Sequence, residues 1–111
     1  MAYDEELAGR IRDLVGKEAG AVEQKMFGGL AFLIGGNMAV AASGQGGLLV
    51  RVDPGESDKL VAETGARPME MRGREMRGWL RVDSEDVVAR PALAMWVDLG
   101  VACARSLPPK R

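Results

Sequence analysis

The chain has no histidine and a single cysteine, Cys103, in 111 residues. Without imidazole there is no Ser–His or Cys–His nucleophile pair, no histidine acid–base group and no histidine-ligated zinc. One thiol closes no intrachain disulfide and builds no cysteine-rich metal site. Aromatic residues make up 5% of the chain, and the formal net charge is -1, so no overall field draws it toward nucleic acid or an anionic membrane. The longest apolar run is far shorter than the roughly 18 residues a membrane span requires. The acidic start, Met1 to Glu6, lacks a basic-then-apolar signal segment. A cytoplasmic protein with no membrane contact is expected, with no catalytic residue, no cofactor and no metal.

What the chain does contain is apolar residues at 47% and charged residues at 28%, the balance of a folded domain. At this length one domain over residues 1–111 is expected, burying roughly two-thirds of its unfolded surface. Leu7, Ile11, Leu14 and Val15 fall at helical spacing behind Asp4, Glu5 and Glu6, which predicts a helix over 4–19 ended by Gly20. Lys25 to Ile34 reads as a strand interrupted or bulged by Gly28-Gly29. Gly35-Gly36-Asn37 reads as a hairpin turn, Met38–Ala42 as a second strand, Ser43–Gly47 as another turn, and Leu48–Val52 as a third strand. Asp53-Pro54-Gly55-Glu56 has the spacing of a capped helix start, for a helix ending before Gly65. Pro68–Met71 and Trp79–Val82 predict a second strand pair. Leu93, Trp96, Val97, Gly100, Val101 and Ala104 predict a final helix, entered at Pro91 and stopped by Pro108-Pro109. The expected fold is α+β, ordered α-β-β-β-α-β-β-α, with helices packed on an antiparallel sheet.

Several blocks along this order resemble the N-terminal domain of the TfoX/Sxy competence regulators. They are Met1–Asp4, Lys25–Phe32, Gly36–Val40, Leu48–Val52, Arg67-Pro68-Met69, Gly73-Arg74 with Met76 and Gly78-Trp79, Trp96-Val97-Asp98 and Leu107–Lys110. The resemblance implies a two-layer fold similar to the type III secretion chaperones. It also implies a non-enzymatic role, acting through a protein partner in transcriptional regulation. A stand-alone domain of the N-terminal type, without the regulators' C-terminal helical domain, is expected.

The candidate interaction surface is a run of arginines. Arg67, Arg72, Arg74, Arg77 and Arg81 stand against Glu70 and Glu75 between positions 67 and 82. Two readings stay open. The run is either a patch for an acidic protein face or nucleic-acid phosphates, with Trp79 as a stacking surface, or a solvated hairpin with cross-strand Arg–Glu pairs and Trp79 in the core. A protein partner is the first expectation and direct nucleic-acid binding the alternative. A small-molecule site or a carboxylate-based enzyme is the third possibility. A homodimer is open, through an edge of the strand meander or the apolar side of the last helix. Met26, Met38, Met69, Met71, Met76 and Met95 are expected in the core, and Cys103 is expected to be a structural, half-buried thiol. Asp83, Glu85 and Asp86 lack the glycine and terminal glutamate of a calcium loop and read as a turn before the last helix.

Overall fold

The computed structural model describes residues 3–18, 20–26, 28–44, 46–71 and 73–108, the side chains of Met71 and Arg77 excepted. The elements in chain order are α1 (Glu5–Val15), β1 (Ala21–Met26), β2 (Gly29–Ile34), β3 (Asn37–Ala42), β4 (Leu48–Arg51), α2 (Pro54–Glu63), β5 (Arg67–Met71), β6 (Arg74–Val82), a 3-10 turn (Ser84–Val87) and α3 (Arg90–Ser106). The expected α+β class holds. All described strand pairs are antiparallel, in one sheet of order β1-β2-β3-β4-β6-β5.

Three expectations need correcting. The stretch from Lys25 to Ile34 is not one bulged strand. Gly28, at φ +77°, lies in a two-residue turn between β1 and β2, and pairing runs without a shift from Met26↔Gly29 to Ala21↔Ile34. Four strands therefore precede α2, not three. The first helix ends at Val15, four residues early: Gly16 makes the last i→i−4 bond, to the Arg12 carbonyl, and Glu18 then donates to the Val15 carbonyl in a tighter i→i−3 turn. The methionines with described side chains are not core residues: Met26, Met38, Met69 and Met76 are half-buried and Met95 is 43% exposed, while the Met71 side chain lies outside the described residues.

The local signals that held have visible causes. Asp4 caps α1, accepting from the N–H groups of Glu6 and Leu7 at 3.0 and 3.1 Å. Asp53 caps α2, accepting from Gly55 at 2.9 Å, with Pro54 in the first turn. Gly35 and Gly36, at φ +61° and +83°, make the tight β2–β3 turn. Asn37, at its end, is buried and donates from Nδ2 to the Pro108 carbonyl at 2.9 Å, tying the end of the described chain to the sheet.

Register sorts the side chains between two faces, since directly opposed residues share one. Leu30, Ala42, Leu48 and Val82 form one row, and Phe32, Val40, Val50 and Leu80 the next. Both rows meet Leu7, Ile11 and Val15 of α1 and Leu93, Trp96 and Val97 of α3 in a single core. A bulge between Phe32 and Leu33 sends two consecutive residues, Ala39 and Val40, into that core. The opposite face of the sheet carries no helix in this core. Among the described residues, no helix is long and apolar enough to cross a membrane.

Candidate interaction surface

The helix-free face of the sheet is read from the same register. Gln24, Ala31, Ala41, Leu49, Arg81 and Arg67 follow one another across all six strands. Val22, Leu33 and Met38 form a second row, and Arg51 opposes Trp79 in a third. A sheet with one wet face normally alternates apolar and polar residues. Here β2 and, beyond Asn37, β3 are apolar on both sides. Ala31 and Ala41 are buried at 1% and 6% exposure although neither belongs to the core under the helices. Val22, on the same face at the β1 edge, is 58% exposed. The face is thus uncharged from β1 to β4 and carries guanidinium groups from the end of β4 to β5.

Of the five arginines in the expected patch, the structure brings two together. Arg67 and Arg81 are register partners, and with Pro68, Glu70 and Glu75 they line an open depression of about 650 Å³. Arg74 is exposed at the far end of the hairpin, opposite Met71. Arg72 and the Arg77 side chain lie outside what the structure describes. Arg67 is held by Asp83 in an ion pair of 2.5 Å, which lies on the surface.

The expected cross-strand Arg–Glu pairs are not the register that forms. A shift between Pro68 and Met69 sets Arg67 against Arg81 and Glu70 against Glu75, like charge against like. Nor is Trp79 in the core. It is half-buried on the helix-free face, with the Arg51 guanidinium 5.0 Å from its ring centroid, within cation–π range. Arg51 belongs to this surface and was missed by a linear count of arginines, because it comes from β4. The same count missed Asp83, which lies one residue beyond the arginine run and offsets its charge. Cross-strand neighbours far apart in sequence leave no local signal.

Two other features are structural. Cys103 is half-buried beside a groove of about 440 Å³ between α2 and α3, and burial raises its thiol pKa. The acidic stretch after β6 forms the 3-10 turn leading to α3, as the sequence suggested.

A family model for the TfoX N-terminal domain matches residues 13–104. No curated protein and no solved structure matches the chain significantly. The match covers nearly every element described above, from within α1 to the last turns of α3, and the chain belongs to the TfoX N-terminal domain family.

Proposed function

We propose that the protein is a non-catalytic interaction domain that docks a protein partner on the helix-free face of its sheet, in a transcriptional-regulatory setting of the kind its family suggests. One observation carries this reading. The face is apolar where a solvated sheet would be polar, from Val22 through Leu33, Met38 and Leu49, and it is bordered by Arg51, Arg67 and Arg81. A partner segment with an apolar stripe and acidic flank matches that distribution, since arginine pairs well with carboxylates at interface rims. Phosphate-backbone binding is a poorer fit, because Asp83, Glu70 and Glu75 stand beside the same arginines.

The test is capture of partners from native lysate by the tagged protein, with and without nuclease. A protein that survives nuclease and is lost on Leu49→Lys or on Arg81→Ala is the expected result. Retention abolished by nuclease would transfer the site to nucleic acid, and reproducible absence of any bound species would overturn the docking reading.

A further inference from the structure

The two edges of the sheet are built differently. At one edge, β5 carries Pro68, which has no N–H to offer, and its pairing with β6 is broken by the shift after Pro68. Proline and bulges are the usual devices that stop an edge from recruiting another strand. At the other edge, β1 has neither. It pairs with β2 in unbroken register over six residues, and Val22 to Lys25 are exposed.

Which backbone groups of β1 face outward follows from its turn. Met26 and Gly29 are paired with only two residues between them, so they exchange hydrogen bonds with each other. Alternation gives Gln24 and Val22 the same inward role. Glu23 and Lys25 then aim their N–H and C=O groups away from β2. Ala21, in the same phase, donates its N–H to the Glu18 carbonyl at 3.3 Å instead of to β2, as this phase requires.

A second copy of β1 can join antiparallel only where outward groups meet outward groups. The symmetric registers that allow this centre on Val22, Glu23, Gln24 or Lys25. Centring on Glu23 opposes two glutamates, and centring on Lys25 opposes two lysines. Centring on Val22 leaves Lys25 beyond the end of the partner strand. Centring on Gln24 sets Glu23 opposite the partner's Lys25 and, by symmetry, Lys25 opposite the partner's Glu23. The same register lays the exposed Val22 against the partner's Met26 on the helix-free face. Glu23 keeps Arg12 on its helix side, where the two form a bidentate pair at 2.5 and 2.8 Å.

We propose that two copies of this chain associate through β1, pairing antiparallel about a twofold axis at Gln24, so that their sheets become one continuous sheet. The charges of Glu23 and Lys25 set the register. The helix-free faces of both copies lie side by side in one extended surface. This association goes beyond the docking of a partner and does not depend on it.

The experiment is sedimentation equilibrium of the purified full chain over a wide concentration range, with folding of every variant checked by far-ultraviolet circular dichroism. A reversible dimer is expected. Glu23→Lys or Lys25→Glu alone, each placing like charges opposite at two symmetric positions, weakens it by on the order of tenfold. The double exchange, Glu23→Lys with Lys25→Glu, recovers the affinity, because the opposed pairs return with their signs reversed. Arg12→Ala leaves the dimer in place, which separates loss of the intramolecular pair from loss of register. In a Cys103→Ser background, Gln24→Cys forms an intermolecular disulfide faster than Glu23→Cys or Lys25→Cys, since only position 24 faces itself across the axis. In the unsubstituted chain, the Glu23 and Lys25 amides gain protection from hydrogen exchange as concentration rises. A wild-type chain that stays monomeric, a dimer indifferent to the charge exchange, or fastest cross-linking at 23 or 25 would each overturn the proposal. Because the purified chain is tested alone, any of these leaves the docking reading standing.

Discussion

Gly9 and Gly100 are both helical glycines, and their surroundings give them opposite roles. A Cβ at Gly100 would lie 2.4 Å from the Ala39 carbonyl oxygen and 2.8 Å from Val40 Cγ1, so α3 reaches β3 only because that atom is missing. Gly9 in α1 has nothing within 4 Å of its would-be Cβ. Gly100→Ala should lower stability by about 2 kcal/mol, overpacking outweighing the gain in helix propensity. Gly9→Ala should raise it by up to about 1 kcal/mol. Urea midpoints at constant m-value check both. The Arg12–Glu23 pair makes a second residue-scale prediction. The Arg12 hydrogen bond lowers the Glu23 pKa below its usual 4.5. A lowered folded-state pKa contributes stability above the unfolded value and loses it as pH falls through the folded one. The melting-temperature difference between wild type and Arg12→Ala should therefore be full above pH 4.5 and vanish once Glu23 is protonated in the folded protein. The difference should also be small and shrink with added salt, because both side chains face solvent.

Among the helices, α2 is the least anchored. Its one buried residue is Ser57, with Leu60 and Val61 only partly packed, whereas α1 and α3 bury apolar stripes. Its start depends on the Asp53 cap. Asp53→Ala should cost about 1 kcal/mol, the usual value of an N-cap, and native-state hydrogen exchange should show α2 opening before α1, α3 or the central strands. Helices were the most legible elements because a cap, a proline and a 3.6-residue stripe lie within a few positions of one another. The β1–β2 hairpin was obscured because its glycine pair permits a bulge as readily as a turn. Val22 to Lys25 also lacks the alternation that marks a half-buried strand, because as an edge strand it is exposed on both faces.

For the whole molecule, the asymmetry of the sheet matters most. Helices cover one face, and the other has an apolar centre bordered by arginines from three strands. Part of the candidate surface was legible in the chain: the arginine-rich hairpin exists, and Arg67 and Arg81 are register partners in it. The remainder depends on pairing. Arg51 joins through β4, Asp83 offsets Arg67, and Leu49 stands beside Arg81 only because β4 and β6 are neighbours.

The sequence by itself determined the α+β class, the Asp53 cap, two of the turns and the apolar stripes of α1 and α3 that enter the core. These are matters of short-range stereochemistry and of periodicity, which a linear chain carries in full. Tertiary structure alone decided the strand order, the like-charge register after Pro68, the place of Trp79 beside Arg51 on the open face, and the bare edge of β1. Each of these depends on which distant strand becomes a neighbour. That choice is settled by burying two apolar rows under α1 and α3, and it moves every outward-facing side chain into place as a consequence.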